Sequence, residues 1–282
     1  SITGMVFVWV PGGCYQMGQT EAGKRYLIDD AGKDTYENYY DDELPRHEVC
    51  VDGFWMGKTE VTRGQFRRFV DATGYETDAE KAGFAFIFDG GWEKKKGYDW
   101  QKVGYDQTDN HPVVCVSWND ARAFAEWLSE RAGRKVRLPT EAQWEYAARG
   151  GTTGMRFWGS DASDACEYVN AGDDAHWGGS VFPCDDGYKY SAPVGHYQAN
   201  PFGLHDMLGN VWEWCLDVYD SDAYSGHSRN NPVVTSGGSH RVDRGGSWVN
   251  FPGYVRCANR FGDDPASTGN DLGFRLCAPP VR

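Results

Sequence analysis

Arg244-Gly-Gly-Ser-Trp248, Arg256-Cys-Ala-Asn-Arg260 and Leu272-Gly-Phe-Arg-Leu276 punctuate the C-terminal stretch of this chain. Each block mixes apolar with cationic residues and is bounded by Gly or Asp, the pattern of short strands that begin or end beside a loop. The spacers, Val249 to Val255 and Phe261 to Asp271, are rich in turn residues and read as loops. The stretch therefore predicts a rigid frame around an exposed surface, and the rest of the chain has to decide whether that surface does chemistry or binds.

Working outward, 282 residues that are 40% hydrophobic and 15% aromatic can bury a sizeable core without a second domain, so a single domain over 1–282 is expected. The 36 glycines and 12 tryptophans predict many turns and broad aromatic packing. A formal charge of −13 would repel a phosphate backbone, and the one short basic run, Lys94-Lys95-Lys96, does not offset it, so nucleic acid is not an expected partner. The longest apolar run, near Met5 to Pro11, is too short for a membrane span. Eight scattered cysteines without a CxxC pair or zinc-like spacing predict disulfides and an oxidising compartment, periplasmic or extracellular. The chain starts at Ser1 with no signal-like segment, which leaves a removed leader open.

Toward the N-terminus, Met5 to Pro11 and Cys14 to Gly18 flank Gly12-Gly13 and read as a strand pair, followed by a polar exposed excursion from Gln19 to Arg46. His47 to Val51 and Phe54 to Thr59 read as strands, which makes a Cys14–Cys50 bridge plausible. Three helices carry start and stop signals: Thr62 with Gln65 and Gly74, Ser117 with Asp120 and Gly133, and Thr140 with Gln143 and Gly150. Gly83 to Asn110 reads as an ordered surface loop, and Glu141 with Glu145 as solvated charge on one helix face.

Val116-Ser-Trp-Asn-Asp-Ala121, Arg137-Leu-Pro-Thr140, Gly209-Asn-Val-Trp-Glu-Trp214, Arg244-Gly-Gly-Ser-Trp248 and Gly273-Phe-Arg275 occur in an order that resembles the formylglycine-generating enzymes, or sulfatase-modifying factors. The resemblance runs from about Met5 to Leu276 and implies an α+β, irregular C-type lectin-like fold with little regular structure. Asn170, Ala171, Asp186 and Tyr188 match one calcium site of that family, and Asp206, Gly209, Val211 and Glu213 match a second. Oxygen-bearing side chains and carbonyls in Gly- and Asp-rich loops suit calcium, so one or two structural ions are expected.

The catalytic relatives carry a copper-binding cysteine pair just after the Arg-Gly-Gly-Ser block. Here Val249 to Val255 contains no cysteine, so no copper is expected, and Cys257 matches a structural cysteine of the family. None of the seven histidines has HxxxH or HExxH spacing, and His205 beside Asp206 reads as a loop hydrogen-bonder. GxSxG, phosphate-loop and dinucleotide motifs are missing from the sequence.

The C-terminal layout is also similar to the variable proteins of diversity-generating retroelements, lectin-fold receptors whose loops are rewritten by changing the adenines of Asn codons. Such changes cannot yield Lys, Glu, Gln, Met or Trp, and residues 249 to 271 contain none of these. The function expected is therefore a non-catalytic module that binds a protein or small-molecule ligand. The contact residues expected are Val249, Asn250, Phe251, Gly253 and Tyr254 from the first loop, and Phe261, Asp263, Asp264, Ser267, Asn270 and Asp271 from the second. Trp248 reads as core packing. The alternatives are a periplasmic oxidoreductase or maturation enzyme of the same family without the copper pair, and an accessory subunit of a larger extracytoplasmic complex.

Overall fold

In the structure, a computed structural model that describes residues 3–159 and 161–280, short strands and helices alternate with long ordered loops. Strands β1 (Phe7–Val10) and β2 (Gly13–Met17) lead into helices α1 (Glu21–Ala31) and α2 (Lys33–Tyr39), then strands β3 (His47–Val51) and β4 (Phe54–Gly57). Helices α3 (Arg63–Thr73) and α4 (Asp78–Ala82) precede a hairpin of β5 (Phe84–Phe88) and β6 (Trp92–Lys96). Helices α5 (Trp118–Ala132) and α6 (Glu141–Arg149) follow, then β7 (Trp212–Val218), α7 (Ala223–Gly226), β8 (Arg241–Arg244), β9 (Arg260–Asp263), β10 (Leu272–Gly273) and β11 (Cys277–Ala278).

The three signalled helices form where expected. Thr62, Ser117 and Thr140 each close a capping box with Gln65, Asp120 and Gln143, and Gly74, Gly133 and Gly150 stop the helices in left-handed conformation. Phe66, Phe69 and Phe124 from α3 and α5 meet Phe274 in one core cluster, while Trp144 and the alanines of α6 belong to another.

Strand pairing departs from the sequence expectation. β1 and β2 do not pair with each other: β1 joins β4 and β11 in one sheet, and β2 pairs with β3. The Gly12 and Gly53 turns therefore lie against each other, with no room for a side chain at Gly12, where an added Cβ would stand 2.8 Å from Gly53 N. Register places Cys14 opposite Cys50, and the bridge forms; a second joins Cys166 to Cys184. Cys115, Cys215, Cys257 and Cys277 are buried free thiols, so disulfide formation takes half of the eight cysteines.

Two further expectations are overturned. The Gln19–Arg46 excursion is not an exposed polar loop: it folds as α1 and α2, with Leu27, Tyr36 and Tyr40 in a small core of their own. The Gly83–Asn110 stretch contains the β5–β6 hairpin.

The largest correction concerns charge. Glu141 and Glu145 are fully buried. Arg260 donates to Glu141 through Nε at 2.8 Å and Nη2 at 2.9 Å, while Arg149 and Arg244 both reach Glu145. Burial alone would push both carboxyls up, but the guanidiniums outweigh it and hold them below the usual range. Arg256 is paired with Glu43, and Arg275 with Glu213, in the same way. The arginines of the C-terminal blocks are thus internal ties, each to a glutamate from a distant part of the chain.

Candidate functional site

Strands β7 to β10 form one sheet in the order β10-β7-β8-β9. β8 and β9 run antiparallel with Asp243 opposite Phe261 and Arg241 opposite Asp263. Directly opposed residues, and residues two apart, share a face, so Asp243, Phe261 and Asp263 project to the same side. Arg244 projects to the other, into the ion pairs described above. Beyond Arg244 the chain turns through Gly245 and Gly246, both at positive φ (106° and 76°), a conformation open to glycine at little cost.

The β5–β6 hairpin is tied beside this face by the second loop. Phe86 N donates to Thr268 O at 2.9 Å, Asn270 N to Phe86 O at 3.0 Å, and Phe88 N to the Asn270 side-chain oxygen at 3.0 Å. Phe86 and Trp92 of the hairpin, Tyr39 at the end of α2, Tyr254 of the first loop, and Trp212 with Leu272 enclose a cleft of about 430 Å³. That volume suits a small ligand or one large side chain. Tyr39, Trp92 and Phe261 are 56%, 50% and 45% exposed, so the rim offers aromatic surface to a partner.

The floor is acidic. Asp243, Asp263 and Asp271 all line the cleft. Asp243 is 1% exposed, and its Oδ1 has no hydrogen-bond partner among the described residues. Burial, and then the neighbouring Asp263 and Asp271 carboxylates, push its carboxyl well up. Burial lifts Asp271 to about 7 even though Ser247 Oγ donates to it at 2.8 Å. Asp263 is also raised by burial.

The expected ligand residues divide. Asn250, Tyr254, Phe261, Asp263, Ser267 and Asp271 line the cleft. Phe251 is exposed nearby without lining it, and Asp264 is exposed and holds a turn by accepting from Ala266 N. Val249 packs against the cluster around Trp248, Gly253 lies 3.1 Å (as an added Cβ) from Tyr40 Oη, and Asn270 is a buried strut to the hairpin. Trp248 itself is core, as expected. Sequence reading misses Tyr39, Phe86, Trp92, Trp212 and Asp243. The alternation of Phe84-Ala-Phe-Ile-Phe88 before Gly90-Gly91 is a hairpin signal that could have found the first aromatic wall.

The residues matched to calcium fall in two places. Asp186 accepts from Ala171 N and Tyr188 N, each at 2.9 Å, which gathers three of the four residues of the first set. Asn170 is fully buried and its Oδ1 lacks a partner among the described residues, an orphaned hard donor of the kind a calcium ion would satisfy. Asp173 and His176 come close too, with ligand atoms within 4.8 Å of one another and of Asp186.

The second set is more crowded. Glu213 takes a two-pronged contact from Arg275, 2.6 Å on each oxygen, and a third hydrogen bond from Trp144 Nε1 at 2.8 Å. Asp206 accepts from Gly195 N at 2.6 Å. Glu60 joins them: it is buried, its Oε2 is unpartnered among the described residues, and burial followed by the Asp206 charge pushes its carboxyl well up. Three buried carboxyls share one guanidinium there, but among the described residues their ligand atoms do not converge within 4.8 Å, so an ion at this locus would have to draw them together, with Glu60 as a donor the sequence reading misses.

Other chemistry finds little seat. Cys257 is buried, and burial pushes its thiol up to about 11, far from a reactive thiolate. His205 Nδ1 lies 2.7 Å from Tyr197 O, the loop contact expected of it.

Comparison with known proteins gives a consistent picture. The family model described as "Sulfatase-modifying factor enzyme 1-like domain" matches residues 2–279. The formylglycine-generating enzyme of Mus musculus is 37% identical over 279 residues, covering 88% of this chain and 72% of the mouse protein. Among solved structures, PvdO from Pseudomonas aeruginosa aligns with a TM-score of 0.78 at 28% identity, over 97% of this chain and 94% of that one. Treponema denticola variable protein 1 aligns with a TM-score of 0.69 at 24% identity, over 98% and 95%. The α+β, C-type lectin-like architecture is common to them.

Proposed function

The chain belongs to the family of sulfatase-modifying factor enzyme 1-like domains, and from that premise we propose that it is a ligand-binding member, not a thiol-oxidising one. The observation that carries this reading is the make-up of the cleft: aromatic side chains and carboxylates line it, and no cysteine does so among the described residues. Val249 to Val255, where the resemblance would place a copper-binding pair, runs past the cleft without a thiol, and all four free cysteines are buried. Aromatic rims give large contact area at low entropy cost, which suits recognition.

In this reading the internal arginine–glutamate ties hold the two loops in place for binding. One or two calcium ions, at Asn170 with Asp186 and at Glu60, Asp206 and Glu213, staple the loops that support them. The two disulfides favour an oxidising compartment, periplasmic or extracellular, as the setting for that role.

The test pairs thiol titration with copper loading. The native protein is expected to expose no reactive thiol, to show four after unfolding and eight after reduction. Protein with both disulfides intact, titrated with copper(I) against a competing chelator, should retain none in stoichiometric amount. Tight copper(I) retention, together with conversion of a cysteine peptide to an aldehyde in air, would make it an enzyme.

A further inference from the structure

We infer that the cleft recognises an organic cation, a ligand that presents an ammonium or guanidinium group to Asp243, Asp263 and Asp271 while its apolar body lies against the aromatic walls. The inference rests on the binding role proposed above and names the ligand's chemistry.

Asp243 carries most of the argument. Its carboxylate is nearly inaccessible to water, belongs to the cleft lining, and has a buried oxygen that accepts no hydrogen bond among the described residues. A buried carboxyl in that state keeps its proton until something donates to it, and an entering cation would take the proton's place. Its own surroundings supply no such donor. Arg244, the next residue, faces the opposite side of the sheet and is committed to Glu145 and to the Ala258 and Asn259 carbonyls. Arg260 is committed to Glu141. Arg241 packs over the Trp118 ring and donates to Leu216 O. The charges that Asp243 does feel are mostly of its own sign, from Asp263, Asp271 and Glu141.

A metal ion is the obvious alternative occupant, and the geometry speaks against it. Among the described residues, the acidic and histidine groups whose ligand atoms converge within 4.8 Å are Asp173, His176 and Asp186, and the three cleft aspartates do not form such a group. Carboxylates spread over a cleft too widely for one coordination sphere can still each receive an N–H from a polyatomic cation. The walls point the same way. Phe86, Trp92, Trp212 and Phe261 offer faces and edges to the methylene or aromatic body of an amine, and a cation beside such rings gains further attraction. The net charge of −13 adds a long-range pull on cations.

The experiment is calorimetric titration with three probes that share one body and differ in charge: tyramine, the neutral alcohol tyrosol, and 4-hydroxyphenylacetate. Tyramine is expected to bind at least about tenfold more tightly than either of the others, the discrimination of one charge-assisted contact. Asp243→Asn should erase that preference while leaving tyrosol affinity unchanged. Because asparagine keeps the shape and neutrality of the protonated carboxyl that burial favours at this position, its melting temperature should not fall, which separates lost recognition from lost folding. Asp263→Asn, at a partly exposed position, is the second variant and should weaken tyramine in the same direction. Equal or tighter binding of tyrosol or of the carboxylate, an unchanged preference in Asp243→Asn, or binding of none of the three overturns the inference. If tyrosol binds as well as tyramine and Phe261→Ala abolishes both, the cleft is a binding site for uncharged ligands, and the binding role stands without the cationic one.

Discussion

Replacing Glu43 by alanine tests how the frame is held, because this one carboxylate ties the helical excursion to the C-terminal blocks. Both Glu43 and Arg256 are buried, and Arg256 donates to it through Nη1 at 2.8 Å and Nη2 at 2.5 Å. Gln19 Nε2 adds a third hydrogen bond at 2.9 Å and Asn259 a fourth at 3.2 Å. Without Glu43 the guanidinium keeps the Gly253 carbonyl, at 2.6 Å from Nε, and lies against the Tyr40 ring, but its charge is uncompensated. Breaking one side of a buried pair costs about 3–5 kcal/mol. At about 2–4 °C per kcal/mol for large domains, the melting temperature should fall by roughly 6–20 °C. Thermal unfolding followed by circular dichroism, with urea unfolding beside it, measures both. The double variant Glu43→Met with Arg256→Met should be milder than Glu43→Ala, since it strands no charge. Glu37→Ala, which removes a surface pair with Lys33, should leave the melting temperature where it was. A Glu43→Ala melting temperature within about 2 °C of the parent would refute the argument, since it would mean the buried pair contributes no more than a surface one.

Asp271 should make stability pH-dependent. Its folded value is lifted from 3.8 to about 7, so between those two values the native chain holds a proton that the unfolded chain has lost, and stability falls as pH rises. At about 1.36 kcal/mol per pH unit, that interval corresponds to roughly 4 kcal/mol of stability, present below about pH 4 and lost above about pH 7. Urea unfolding at pH 4.5, 6 and 8 should show a shallower decline in Asp271→Asn, and an unchanged decline would count against an ionising Asp271. For calcium, a chelator should lower the melting temperature and Asn170→Ala should blunt that response. At a free ion concentration a hundred times the dissociation constant the stabilisation is about 2.7 kcal/mol, or roughly 5–10 °C, so a melting temperature indifferent to the chelator would remove both proposed ions.

What the sequence reveals and what it hides follow from the range of each interaction. Thr62, Ser117 and Thr140 announce their helices because a capping box is complete within four residues. The α1–α2 segment is invisible in the sequence because its apolar residues are few, and its burial depends on Tyr254 and on the Glu43–Arg256 pair, more than 200 residues apart in sequence. Glu141 and Glu145 look solvated for the same reason: a helix face bearing two glutamates gives no hint that Arg244 and Arg260 will arrive a hundred residues later. The C-terminal blocks are legible as a motif, yet nothing in their spacing shows that their arginines are buried ties. In the cleft, the loop residues can be named from spacing, whereas Asp243 and Trp212 come from strands and enter only through sheet register.

Arg244 and Asp243 state the division of labour within one strand. They are adjacent, both buried, and face opposite sides of the same sheet. On the core side the guanidinium meets Glu145, so its burial is compensated and the charge serves the fold. On the cleft side the carboxyl meets chiefly other carboxyls, and the one cation it feels, Arg244, is tied to glutamates on the far face of the sheet. Stability alone would favour an apolar residue at position 243, because a buried carboxyl oxygen without a hydrogen-bond partner is costly even when the group holds a proton. Such local costs concentrate where a protein binds something that relieves them, since groups placed for a ligand are not placed for the empty fold. The same chain neutralises Arg244, Arg256, Arg260 and Arg275 with glutamates, whereas no arginine or lysine pairs with Asp243, Asp263 or Asp271 among the described residues. That asymmetry is the physical reason for assigning the acidic cleft, and not the arginine-rich frame around it, as the surface that meets a ligand.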